Sequence, residues 1–245
     1  MPLTRSQLER LGERLRSSDG PPTSDDLERL DEFERSYDGA RLAATVRLQE
    51  LGLTPTARLK TVHSIVGKLR REKTALPRMQ DIAGCRIVVT DVAAQDEAVK
   101  AILGAPWESF KMIDRRLTPS HGYRAVHVIA YVGGLAVEIQ VRSRLQDLWA
   151  QLSEKLADRF GIEVKYGGGP DEVRDLLISI SETIAVAEAL RPRIAQLKMR
   201  SQSADVILPG ETTTLSAQVT EIEAQMDEAD QQLEDQIQRV ISILS

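Results

Sequence analysis

A chain of 245 residues is long enough for one large domain or for a catalytic domain with appendages. Apolar content of 42% supports a real core, and a single cysteine, Cys85, excludes internal disulfides. The net charge of −5 is unevenly placed: residues 170–245 hold 14 acids against 6 bases, whereas Arg58, Lys60, Lys68, Arg70, Arg71 and Lys73 crowd together with only Glu72 opposing them.

No apolar run approaches the length of a membrane span, and the start, Met1-Pro2-Leu3-Thr4-Arg5, lacks the apolar stretch of a signal peptide, so a soluble cytoplasmic protein is expected. Salt screens charge over roughly 8 Å, so a phosphate would feel the local basic cluster rather than the global sign.

Leu8, Leu11 and Leu15 recur at helical spacing and predict a short first helix that ends in a turn over residues 17–22. Thr23 or Ser24 then caps a longer helix, favoured by Asp25 and Asp26 in its first turn. Leu27, Leu30, Phe33, Tyr37, Val46 and Leu51 supply its apolar stripe, and Gly52 supplies its stop. Residues 61–73 read as another helix, on which Ser64, Lys68 and Arg71 share one face. Residues 82–89 form an apolar strand with Cys85 as a buried, inert thiol, 93–103 a helix and 110–113 a short strand. Residues 123–132 and 135–141 read as a hairpin across Gly133-Gly134, followed by an amphipathic helix over 145–160 closed by Gly161. Gly167-Gly168-Gly169-Pro170 marks a boundary.

Beyond it, Val173, Leu177, Ile180, Ile184 and Ala187 give a helix that Pro192 kinks or interrupts, and residues 201–214 read as a loop. A heptad-like run follows at Leu215, Val219, Ile222, Met226, Ala229, Leu233 and Val240, suited to a helical hairpin or to contact with a second copy. The expected segments are a helical region over 1–54, a catalytic region over 55–169 and an acidic helical region over 170–245.

Two stretches carry the chemistry. The loop Pro119-Ser120-His121-Gly122-Tyr123-Arg124-Ala125-Val126-His127 presents an aromatic, an arginine and a histidine on a glycine hinge. Alternation in Val137-Glu138-Ile139-Gln140-Val141-Arg142 sends an acid, an amide and a guanidinium to one face of a strand.

From Arg58 to Tyr166 these motifs, in order, resemble the synthetase domain of the RelA/SpoT family, which makes guanosine tetra- and pentaphosphate alarmones. Arg58-Leu59-Lys60 with Ser64 and Lys68 is similar to the family's ATP-phosphate segment, and Asp81-Ile82-Ala83-Gly84-Cys85-Arg86 to its metal-binding strand. Gly122-Tyr123-Arg124-Ala125-Val126-His127 resembles the guanine-nucleotide loop, and Glu138-Ile139-Gln140-Val141-Arg142 the second acidic strand. Leu148-Trp149-Ala150-Gln151-Leu152-Ser153-Glu154 is similar to the helix that follows in small alarmone synthetases. No histidine is followed by aspartate, so the paired His-Asp motif of the family's hydrolase domain is missing and a small, synthetase-only protein is implied.

The resemblance implies an α+β fold, a mixed β-sheet flanked by helices in the manner of nucleotidyltransferases, with helical extensions at both ends. It also implies Mg²⁺-dependent transfer of pyrophosphate from ATP to the 3′-hydroxyl of GDP or GTP. Asp81 and Glu138 would bind the metal, Glu138 alternatively taking the 3′-hydroxyl proton. Arg58 and Arg86 would sandwich adenine, Arg86 being otherwise expensive in an apolar strand. Lys60, Ser64, Lys68 and Arg71 would hold the donor phosphates.

Tyr123, placed by Gly122 in a polar and exposed loop, would stack on guanine. Arg124 belongs to the same loop, His127 would sit near the acceptor phosphates, and Gln140 and Arg142 would position nucleotide or supporting groups. One departure stands out: Pro119 occupies the place of the family's loop lysine. Arg115 or Arg116 could replace it, or the acceptor could carry fewer phosphates. The acceptor could also be the 3′ end of tRNA, as in toxic relatives. A non-catalytic module that senses guanine nucleotides is the remaining reading.

Overall fold

The computed structural model describes residues 3–17, 21–205 and 212–244, with backbone alone at 202–205 and 212–215. Five strands form a mixed sheet in the order β1-β2-β5-β4-β3: β1 Thr56–Leu59, β2 Ala83–Val89, β3 Phe110–Asp114, β4 Val126–Val132 and β5 Leu135–Ser143. The α+β fold with helices at both ends agrees with the expectation. No helix among the described residues is long and apolar enough to cross a membrane. The chain divides into two compact units, one of Met1–Val88, Glu97–Ile113 and Val126–Val141, the other of Val89–Asp96, Asp114–Ala125 and Arg142–Ser245.

In the first unit, helix α1 (Arg5–Arg16) opens on a capping box in which Thr4 and Gln7 satisfy each other's backbone donors. Leu8, Leu11 and Leu15 are buried, and Gly12 lets the helix approach Leu76, whose Cβ would lie 2.9 Å from a Cβ at position 12. The turn expected over 17–22 falls partly on residues 18–20, outside the described residues.

The single long helix expected from Thr23 to Gly52 is two helices, α2 (Ser24–Arg35) and α3 (Asp38–Glu50). The break has a local cause. Ser36 Oγ donates back to the Phe33 carbonyl (2.6 Å), and the Tyr37 ring then meets the Phe33 ring edge-on at 5.3 Å. The turn also changes the buried stripe, which continues through Ala40, Ala44 and Leu48, while Val46 is 51% exposed. Gly52 does stop the helix: at φ +76 it lets its own N–H reach the Gln49 carbonyl and the Leu53 N–H reach that of Leu48.

Helix α4 (Val62–Glu72) is capped by Thr61, whose hydroxyl accepts from the Ser64 N–H. Strand β1, not expected from the sequence, pairs antiparallel with β2, setting Arg58 opposite Gly84 and Thr56 opposite Arg86. Strands β4 and β5 are antiparallel across Gly133 and Gly134, whose φ values of +59 and +73 suit a two-residue turn. Ala83, Cys85, Ile87, Val137, Ile139 and Val141 bury one face of the sheet, where Thr45 of α3 lies 3.9 Å from the Cys85 sulfur. Burial pushes the Cys85 thiol up, which keeps it protonated and inert. Gly84, Arg86, Glu138 and Gln140 alternate onto the other, open face. Arg86 is therefore not embedded in apolar surroundings, because the strand is apolar on one face only. Helix α5 (Val92–Leu103) links β2 to β3.

The second unit is built on α6 (Arg144–Phe160), α7 (Asp171–Asp205) and α8 (Thr212–Leu244). Leu148, Leu152, Leu156, Leu177, Ile184, Ile237 and Ile241 share its core. Pro192 does not interrupt α7. It removes a single backbone bond, and Arg191 beside it is anchored to Asp227 (2.9 Å) and Asp230 of α8. Residues 201–205 and 212–214, expected as loop, belong to α7 and α8, and the rest of that loop, 206–211, lies outside the described residues. Of the heptad-like run, Val219 is buried and Leu233 partly buried against the chain's own helices, whereas Ile222 and Val240 are exposed. The Leu215 side chain lies outside the described residues.

Candidate active site

On the open face of the sheet in the first unit, Arg58, Lys60, Asp81, Arg86, Glu138 and Gln140 line a cleft of about 220 Å³. Gly84 leaves its floor bare, and a Cβ there would meet only two backbone oxygens, at 3.8 and 4.0 Å. Asp81 is the electrostatic centre. Its Oδ2 accepts from Lys68 Nζ at 2.8 Å and lies 3.3 Å from Lys60 Nζ. Its Oδ1 is buried with no hydrogen-bond partner. Burial pushes the Asp81 carboxyl up, but the two lysines outweigh that and hold it below its ordinary value. Lys68 answers in kind: burial disfavours its charge, and Asp81 more than restores it.

Glu138 has both oxygens engaged. His127 Nδ1 lies 3.0 Å from Oε1, and Gln140 Nε2 donates to Oε2 at 2.7 Å. Burial raises the carboxyl, yet His127 and Gln140 together leave it below its usual value, so it is ionised at neutral pH. The helical face of α4 is shared out. Lys68 reaches Asp81, Ser64 takes a hydrogen bond from Thr61 Oγ1 (2.9 Å), and Arg71 turns to Glu72 (3.1 Å) at the exposed end.

The remaining predicted residues, Tyr123, Arg124 and Arg142, belong to the second unit. Tyr123 is half-buried rather than exposed. Gly122 precedes it at φ +88, packed so closely on α6 that a Cβ would lie 2.8 Å from Trp149 Cζ2, and Ser181 donates to its carbonyl at 2.6 Å. The Tyr123 ring lies 6.3 Å from that of Trp149, which itself donates to the Leu177 carbonyl (2.7 Å). Arg142 is buried: Nη1 donates to Asp147 at 2.8 Å and Nη2 to the Tyr123 hydroxyl at 3.2 Å, with the guanidinium 5.3 Å from the Tyr123 ring centre. Gln151 in turn donates to the other Asp147 oxygen (2.8 Å). Arg124 is occupied by Ser181 Oγ (3.0 Å) and the Arg116 carbonyl (2.7 Å). Arg116, one of two candidates to replace a loop lysine, is locked by Asp114 and Asp96, each at 2.7 Å.

The sequence reading missed Thr56 in the cleft and Asp147 and Ser181 beneath the Tyr123 loop, and it gave no role to Gly84 or Trp149, although both lie in the family-like stretches. A glycine inside an apolar strand was a usable signal for Gly84. Nothing local marks Thr56, Asp147 or Ser181.

Residues 57–158 match the model of the region found in RelA / SpoT proteins. The uncharacterized protein Rv1366 of Mycobacterium tuberculosis is 29% identical over 225 residues, covering 86% of this chain and 80% of its own length. Among solved structures, small alarmone synthetase 1 of Bacillus subtilis bound to its product pppGpp superposes with a TM-score of 0.58 at 23% identity, over 69% of this chain and 97% of its own. A GTP pyrophosphokinase family protein of Streptococcus pneumoniae superposes at 0.52 and 21%, over 77% and 100%. Residues 57–158, set in this sheet, thus carry the region found in RelA / SpoT proteins, and the fold is shared with small alarmone synthetases.

Proposed function

We propose that this protein transfers a pyrophosphoryl group from ATP to the ribose 3′-hydroxyl of a guanine nucleotide. The 3′-oxygen bonds to the β-phosphorus, the bond from that phosphorus to the α–β bridging oxygen breaks, AMP leaves and the hydroxyl proton passes to a base. The observation that carries the reading is the Asp81 cluster: a carboxylate with one buried, unpartnered oxygen, flanked by two lysines, in a cleft that also holds Glu138. Related folds support both substrates, since Bacillus subtilis small alarmone synthetase 1 was crystallised with pppGpp and with AMPCPP.

The residues fit Mg²⁺. An open carboxylate oxygen suits a hard cation, which commonly takes one or two carboxylates and completes its shell with water and substrate phosphates. Asp81 and Glu138 would hold it, and the donor phosphates would supply further ligands. Among the described residues no group of three or more His, Cys, Asp and Glu could do so alone. The ion's contribution is to neutralise negative charge on the donor phosphates. Lys60 and Lys68 add fixed positive charge there, with Ser64 and Arg71 behind them on α4. Arg58 and Arg86, on the open face of paired strands, suit the two sides of a planar base. Glu138, ionised and held by His127 and Gln140, would complete the metal site or, as the alternative, take the 3′-hydroxyl proton. Tyr123 supplies the aromatic platform for guanine, worth about 1–3 kcal/mol for a stacked base.

The test is transfer from ATP labelled at its terminal phosphate, with Mg²⁺, to GMP, GDP, GTP or bulk tRNA in parallel. Label on a guanine nucleotide supports the reading. Label on tRNA alone replaces it with a tRNA-modifying activity, the alternative motivated by the lysine-free loop. Absence of transfer to any acceptor refutes the enzymatic reading.

A further inference from the structure

The segment Gly122-Tyr123-Arg124 rests on a single turn of α7, and one hydroxyl joins the two. Ser181 is only 2% exposed; its Oγ donates to the Gly122 carbonyl at 2.6 Å and accepts from Arg124 Nε at 3.0 Å. A serine hydroxyl has one proton to give, and here it is given to the loop. Leu177, one turn earlier on α7, accepts from Trp149 Nε1 at 2.7 Å. A Cβ on Gly122 would lie 3.3 Å from both the Leu177 carbonyl oxygen and Ser181 Cβ, so loop and helix are in close contact.

Hydroxyls inside helices commonly fold back onto the carbonyl four residues earlier, as Thr183 does to Ser179 and Thr220 to Ser216, each at 3.0 Å. Ser181 forgoes that local bond for partners 57 and 59 residues away. The two groups it holds stand immediately before and after Tyr123 in the sequence. Gly122, at φ +88, is the hinge with the widest conformational freedom, so fixing its carbonyl removes the rotation that would swing the tyrosine. The far end of that side chain is held separately: its hydroxyl accepts from Arg142 Nη2 at 3.2 Å, and Asp147 anchors Arg142.

We propose that Ser181 is a positioning residue for the acceptor: it clamps the loop to α7 so that the Tyr123 ring stands ready before the nucleotide arrives. The inference rests on the reading of Tyr123 as the guanine platform. A platform ordered by folding binds more tightly than one the ligand must order, because no conformational freedom is then lost on binding. Ser181 is too deeply buried to meet the nucleotide itself. Arg58, Lys60, Lys68 and Arg86, assigned to ATP, belong to the other unit, so the effect of Ser181 falls on the acceptor.

The experiment compares the unaltered protein with Ser181→Ala, measuring KM for GDP, KM for ATP and kcat, with amide hydrogen exchange over residues 121–125 in parallel. Loss of both hydroxyl bonds should raise KM for GDP about five- to twentyfold. KM for ATP and kcat should stay within about threefold, the pattern of lost binding rather than lost chemistry. Exchange at the Tyr123 amide, which donates to the Ser120 carbonyl at 3.0 Å, should quicken at least about fivefold. Ser181→Cys, which keeps the volume but offers only a weak donor and acceptor, carries the same test where alanine does not fold, with changes in the same direction. A KM for GDP within twofold of the unaltered protein, an equal rise for ATP, or unchanged exchange in the loop each overturns the clamp and leaves the proposed function standing. Transfer by the unaltered protein to no guanine nucleotide overturns the proposed function, and the positioning role falls with it.

Discussion

Replacing Asp147 by asparagine leaves the Arg142 guanidinium buried without its counter-charge. The two side chains are only 6% and 11% accessible and 2.8 Å apart, so solvent screening does little to soften the change. Removing one member of a buried pair costs about 3–5 kcal/mol, because the remaining charge keeps its desolvation penalty. Asparagine keeps one acceptor oxygen, and the Tyr123 hydroxyl stays at 3.2 Å, which brings the expectation down to about 2–3 kcal/mol. At about 2–4 °C per kcal/mol for a chain of this size, the melting temperature should fall by roughly 5–10 °C. Denaturant unfolding in a Trp107→Phe background, where Trp149 is the sole tryptophan, would follow the core that holds the pair. The double variant Arg142→Gln/Asp147→Asn should lose less than the sum of the singles, since neither then strands a buried charge. A loss below about 1 kcal/mol for Asp147→Asn, the range of exposed ion pairs, would refute the reasoning.

The other predictions address the cleft, the loop, pH and assembly. Asp81→Asn and Glu138→Gln should each lower transfer by about 10²–10⁴-fold with the fold retained by circular dichroism; full activity in both would sink the assignment. Gly122→Ala should destabilise by about 1–3 kcal/mol, because alanine at φ +88 is strained and its Cβ meets Trp149; an unchanged unfolding midpoint would contradict the packing described. Glu138 is held below its ordinary value of 4.5, so the stability it adds is present above that value and lost as pH falls through the lowered one. Thermal unfolding should therefore depend less steeply on pH in Glu138→Gln below 4.5, and superimposable slopes would count against the His127 and Gln140 contacts. Self-association through the outward side of α8, where Ile222, Val240 and Ile243 are exposed, should give a mass above the 27.2 kDa chain in light scattering, and a monomer mass removes that proposal.

By itself the sequence determined the local elements and the chemical inventory. Alternation in β2 and β5, the capping threonines, Gly52 and the Gly133-Gly134 turn are short-range physics, and they place Arg86, Glu138 and Gln140 on one side of a strand whatever the rest of the chain does. The family motifs likewise lie within short segments. Tertiary structure decided what no local pattern encodes. It split the helix at Ser36, because Tyr37 finds Phe33, and it carried α7 through Pro192, because α8 holds Arg191. It also assigned the arginines. By sequence Arg116 was a candidate for the place of the loop lysine and Arg124 and Arg142 were candidates for nucleotide binding, and their partners at Asp96, Ser181 and Asp147 lie 20, 57 and 5 residues away along the chain. A charge is available to a ligand only when no closer counter-charge claims it, and which acid comes closest is settled by packing over those separations rather than by the residues beside it.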